Sequence, residues 1–106
     1  MKIGVTSQNF RTITGHAGKA RRFFIYQGSS EEDLKLIDKL DLAKSQSIHE
    51  SNPAEKHPLD DLDILITASC GVGFFRKMNA RGVQVIQTDE QDPLTAAKIV
   101  INSQAS

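Results

Sequence analysis

The sequence predicts a single α/β domain on three observations: an alternating strand opens it, strand and helix patterns alternate with short connections through its second half, and its 106 residues suit one hydrophobic core. A chain of that length buries only a modest share of its surface, so monomer and homodimer are both compatible with it.

The elements follow in order. "KIGVTS" alternates Ile3 and Val5 with Lys2, Gly4 and Thr6, the period of a half-buried strand, expected over residues 2–7. From Gln8 to Arg22 the chain is polar and glycine-punctuated, a long loop for so small a domain, and long ordered loops are more often functional than short ones. "FFIYQ" is dense in aromatic and β-branched residues and gives a second strand, 22–27. "SSEEDLKLIDKLDL" has two readings. Ser30 and Asp33 ahead of Leu34, Ile37 and Leu40 suggest an N-capped helix, whereas Leu34, Leu36, Leu40 and Leu42 share one parity, as in a strand. Residues 43–58, with two prolines and many small polar residues, are expected to be a mobile loop.

"DILIT" is a continuous apolar run of the buried-strand type, 63–67, and "GFFRKMNARG" places Phe74, Phe75 and Met78 on one helical face, with Gly82 to end a helix over 72–81. "VQVIQ" is a strand, 83–87. Asp92 is then an N-cap, Pro93 the first helical residue, and Leu94, Ala97, Val100 and Ile101 the inner face of a helix over 93–103. Such short connections imply a parallel strand pair with a right-handed crossover.

Composition excludes some partners. Thirteen basic and thirteen acidic residues cancel, with no block of Lys or Arg long enough to neutralise a phosphate backbone, so nucleic acid is not expected. No apolar stretch approaches the ~20 residues of a membrane span, and no charged-then-apolar leader opens the chain. A cytoplasmic location is the expectation. The single cysteine, Cys70, allows no internal disulfide.

Cys70 lies where a strand should end and a helix begin, followed by Gly71 and Gly73. Unpaired amides there favour an anion, and the same field favours a thiolate, the form that ligates metal. This reading expects a partly accessible thiol with a pKa below the ordinary ~8.5; the opposing one makes Cys70 a small buried hydrophobe. The turn has neither the lysine of a Walker A loop nor the spacing of a dinucleotide site. In "TGHAGKARRF", His16 sits between Gly15 and Gly18, with Lys19, Arg21 and Arg22 behind it. An uncovered imidazole beside cations suits an anionic ligand, though a plain surface loop reads the same way. His49 and His57 fit no closed zinc pattern, and Asp60, Asp61 and Asp63 read as a solvated turn.

Taken together, "MKIGVTSQN", "GHAGKARRFFIY", "HPLDDLDILITASCGVGFFRKMNARGVQVI" and the last acidic-Pro-led helix resemble, in order and over about residues 1–101, the dinitrogenase iron–molybdenum cofactor biosynthesis family, which includes NifX-like proteins and the C-terminal domain of NifB-like proteins. The resemblance implies a ribonuclease H-like fold, a mixed sheet of about five strands flanked by helices, with the second and third strands in a hairpin. On that ground residues 34–42 are expected to be a strand. It also implies a non-catalytic carrier of iron–molybdenum cofactor, its precursor or a related metal–sulfur cluster, exchanging cargo with donor or acceptor proteins. By position, His16, His57, Gly71 and Gly73 match family motifs; Ala17 stands where phenylalanine is usual, and Cys70 where an aliphatic residue is usual. The expected cluster-binding residues are Gly15, His16, Gly18, Lys19, Arg21, Arg22, Gly71 and Gly73, with His16, His57 and Cys70 as metal ligands. Two other readings are a Cys/His-dependent enzyme, which needs the imidazole within reach of the sulfur, and a regulatory module that keeps the fold without the cluster. A two-metal nuclease lacks its carboxylates on the first strand.

Overall fold

Five strands form one mixed sheet in the order β3-β2-β1-β4-β5. They are β1 (Lys2–Thr6), β2 (Arg22–Gln27), β3 (Lys35–Asp41), β4 (Ile64–Thr67) and β5 (Gln84–Gln87), with helices α1 (Val72–Ala80) between β4 and β5 and α2 (Pro93–Ala105) at the end. The computed structural model describes every residue except His49, Pro53 and Ser106. β1 is antiparallel to β2 and parallel to β4, β4 is parallel to β5, and β2 and β3 form the expected hairpin. The radius of gyration, 12.5 Å, is that of one compact unit of this length, about 13 Å.

Two apolar layers sandwich the sheet. Phe23, Ile25, Leu65 and Val85 point toward Phe74 and Met78 of α1 and toward Ile48, Leu59 and Leu62. Ile3, Val5, Phe24, Tyr26, Ile64 and Ile66 point toward Ala96, Ala97, Val100 and Ile101 of α2. The caps read from the sequence are present: the Asp92 carboxylate accepts from the Thr95 amide at 3.0 Å and hydroxyl at 2.6 Å. Gly82 has φ +81°, and the amides of Gly82 and Val83 donate to the carbonyls of Asn79 and Met78, closing α1 with a Schellman turn.

The ambiguous segment is a strand because its polar residues make a turn instead of a helix cap. The Asp33 carboxylate accepts from the Ser29 amide (2.8 Å), the Ser29 hydroxyl (2.6 Å) and the Ser30 amide (2.7 Å), closing the β2–β3 connection. The shared parity of its leucines does not survive. A β-bulge opposite Ile25 and Tyr26 leaves Ile37 unpaired, so Leu36 is opposite Tyr26 on the α2 face and Leu40 opposite Phe23 on the α1 face. The stretch 43–58 also holds more structure than a plain loop. A 3₁₀ turn spans Lys44–Gln46, Ser47, Ile48 and His57 are buried, and a second 3₁₀ turn follows at Pro58–Asp61. His49 lies outside the described residues.

Candidate functional site

β1 hands the chain to β2 on one side of the sheet, while β4 hands it through α1 to β5 on the other. The two connections part above the carboxyl ends of β1 and β4, and open α/β sheets place their ligands in the crevice at such a divergence. The loop after β1 and the turn after β4 meet there.

Backbone bonds hold the meeting. The Thr14 carbonyl accepts from the Ala68 amide (3.1 Å) and the Thr67 hydroxyl (3.2 Å), and the Thr14 amide donates to the Thr6 carbonyl (2.9 Å). The His16 amide donates to Ser69 Oγ (3.1 Å) and the Ala17 amide to the Ser69 carbonyl (3.3 Å). Gly15 is required by this approach, since a Cβ there would lie 2.2 Å from Ser69 Oγ. His16 itself takes a left-handed backbone, φ 54°, and stays exposed, its ring without a hydrogen bond among the described residues. Its carbonyl accepts from the Lys19 amide (2.9 Å) and the Ala20 amide (3.1 Å), and Ala17 and Ala20 anchor the turn in the core beside Phe74. Ala17, where the resemblance leads one to expect phenylalanine, is therefore a buried anchor that opens no gap in the loop.

On the facing side, Gly71 is the N-cap of α1 with no side-chain cap, and α1 has no acidic residue in its first turn. Its first helical bond runs from the Phe75 amide to the Gly71 carbonyl at 3.2 Å, so the preceding amides lie ahead of the helical ladder. Gly71 and Gly73 have nothing within 4 Å of where a Cβ would be. Packing does not require glycine at either place; its effect is to leave the backbone bare.

The structure sorts the expected residues. Gly15, His16 and Lys19 line one open cleft of about 240 Å³ together with Gln8, Thr14 and Ala20, and Gly18 faces Phe74. Arg21 and Lys19 line a neighbouring cleft with Lys44, a residue that sequence reasoning missed. Arg22 is engaged elsewhere: its guanidinium lies 5.4 Å from the Phe10 ring centroid, 3.6 Å from Asp41 and 3.3 Å from the Gln8 carbonyl. His57 is also committed. Its Nδ1 accepts from the Leu59 amide at 3.0 Å, its Nε2 meets the Gln46 carbonyl, and the ring is 4% exposed. It caps the Pro58–Asp61 turn, a use signalled by a proline directly after it and an aspartate three residues on. Cys70 corrects an expectation. It is half-buried against the α1-side core, and that burial pushes its thiol up, where a helix N-terminus had been expected to draw it down. Among the described residues no three His, Cys, Asp or Glu side chains converge to hold a metal ion, and no helix is long and apolar enough to cross a membrane.

Solved structures share the fold, three of them as follows. One, PH0822, superposes with a TM-score of 0.72 at 17% identity over 97% of this chain and 91% of its own. A protein of Methanocaldococcus jannaschii, named as a candidate dinitrogenase, gives 0.70 at 13% identity over 100% and 92%. A candidate NifB protein of Thermotoga, of the DUF35 family, gives 0.65 at 17% identity over 98% and 89%. No curated protein matches the chain. The model of the dinitrogenase iron-molybdenum cofactor family matches residues 1–102, nearly the whole chain. This chain belongs to that family.

Proposed function

We propose that the protein binds and releases an anionic metal–sulfur cluster of the iron–molybdenum cofactor type and does not turn it over. The observation that carries this reading is the docking of the Gly15–Gly18 loop on Ser69, two residues ahead of the Gly71 N-cap of α1, which leaves an exposed imidazole with no hydrogen bond among the described residues at the divergence of β1 and β4. Family membership supplies the class of cargo.

The donor set suits a cargo that brings its own sulfur. A neutral imidazole can take an open iron position, while helix amides and Lys19 oppose the negative charge of the sulfides. One or two protein ligands on a loop permit release, where four thiolates would hold the metal tightly. His57 supplies no ligand in this reading, since both its nitrogens are engaged, and Cys70 supplies packing. A Cys/His enzyme gains no support here, because burial disfavours the thiolate it would need.

Anaerobic incubation with isolated iron–molybdenum cofactor, followed by gel filtration and metal analysis, tests the reading. Wild type should retain near-stoichiometric iron and molybdenum, and His16→Ala at least tenfold less at equal cofactor. Equal retention by the two proteins would remove His16 from the site, and no retention by wild type would remove the carrier role.

A further inference from the structure

Lys19 borders a second and larger concavity, about 530 Å³, whose other walls are Arg21, Lys44, Ser47 and Glu50. Its two sides come from segments far apart in sequence. The Leu42 amide donates to the Arg21 carbonyl at 2.8 Å just beyond the last strand pair, Arg22 with Asp41, and this sets the turn carrying Lys44 beside Arg21. Leu42 and Ile48 are buried in the same core as Ala20, and Ser47 is 3% exposed, so the wall that bears Lys44 is fixed by packing on both flanks.

Charge is concentrated here in a chain that is neutral overall. Three cations face one carboxylate, Glu50, and none of the four forms an ion pair among the described residues. Uncompensated charge of one sign in a concavity raises the local concentration of its counter-ion. The volume lies in the range of small-molecule sites, roughly 300–1,000 Å³. A guanidinium fork and two ammonium groups match several oxyanion groups on one molecule, and Ser47 and Glu50 can meet a hydroxyl or a protonated oxygen beside them.

We propose that this cleft binds a small polyanion, a molecule bearing two or more phosphate or carboxylate groups, at a site that adjoins that of the cluster and shares only Lys19 with it. The proposal goes further than the carrier reading and stands if that reading fails. Isothermal titration of the whole protein with inorganic pyrophosphate and, separately, with tricarballylate distinguishes the two sources of charge, with potassium chloride at matched ionic strength as reference. Saturable one-to-one binding of either probe is expected, pyrophosphate alone indicating a phosphate ligand and tricarballylate alone a carboxylate ligand. Lys44→Ala and Arg21→Ala should each weaken it tenfold or more, and Lys44→Arg should restore most of it. Lys44 is exposed, so its replacement leaves the core intact. Heats no different from those of potassium chloride, or a Lys44→Ala protein that binds as tightly as wild type, would overturn the proposal.

Discussion

The imidazole of His16 stands exposed on a turn pinned by backbone bonds, Ser69 and the buried Ala17 and Ala20, while that of His57 is buried with both nitrogens engaged. The regions around them follow the same contrast. At the divergence of β1 and β4 the main chain does the holding, so the side chains of His16 and Lys19 are left for a ligand. Beneath the end of α1 the side chains do the holding: Arg81 donates to Asp60 (2.8 Å) and to the carbonyls of Glu55 (3.1 Å) and Asn52 (3.2 Å), and His57 caps the turn that carries Asp60. A histidine is a ligand candidate where the backbone can spare it, and a structural part where the backbone cannot.

The largest effects should separate the two regions. His57→Ala leaves the Leu59 amide and the Gln46 carbonyl without their partner, and Arg81→Ala strips Asp60 of its cation; each should cost about 2–3 kcal/mol, or roughly 10–20 °C in Tm. Cluster retention per folded molecule should not change. Calorimetry beside metal analysis checks both halves, and a loss of retention in either variant would break the comparison. Gly15→Ala should harm both properties at once. Its Cβ collides with Ser69 Oγ at 2.2 Å, so about 1–3 kcal/mol is lost together with retention; adding Ser69→Ala should relieve the collision and recover part of the stability, but not the retention, because the His16 amide then loses its acceptor.

His16→Gly sharpens the contrast in the other direction. Glycine relieves the left-handed backbone at φ 54° and should raise stability by roughly 0.5–1 kcal/mol in denaturant titration while retention falls. A variant that is both stabilised and fully loaded would deny His16 a ligand role. The smallest effect concerns acid. The Ser29 hydroxyl, then the Ser30 and Ser29 amides, hold Asp33 down from 3.8 to about 2 in the folded state. A carboxyl lowered on folding stabilises the fold above its unfolded value, and that contribution is lost as pH falls from about 4 to about 2. Asp33→Asn should lower stability modestly near neutrality, where the carboxylate's contribution is full, and flatten the profile across that window, so that the variant and wild type converge in acid.

Much of the fold was legible because its signals are local. Asp92 before Pro93 starts α2, Gly82 ends α1, and the apolar run at Ile64–Thr67 is a buried strand, each readable within a few residues. The hairpin strand was not readable from pattern alone, since the bulge at Ile37 shifts its leucines between faces; family resemblance decided it. The candidate site was half legible. The glycines around His16 and after Cys70 marked two loops, but their union depends on Ser69, an ordinary residue without its partner in view. Lys44 escaped notice because only the Leu42 to Arg21 bond brings it near. At Cys70 the expected partial exposure is present, but the thiol is pushed up and not down, since the helix end was visible in sequence and the apolar packing against its sulfur was not.

If the cargo binds at His16 and not at His57, side-chain nitrogen NMR during anaerobic titration with isolated iron–molybdenum cofactor should separate the two rings. Iron in the cargo broadens nuclei close to it. The His16 ring signals should disappear first, in step with cofactor added, while those of His57, its Nδ1 held by the Leu59 amide, persist to full loading. Loss of the His57 signals as early as those of His16, or His16 signals unchanged at one equivalent of bound cofactor, would contradict it.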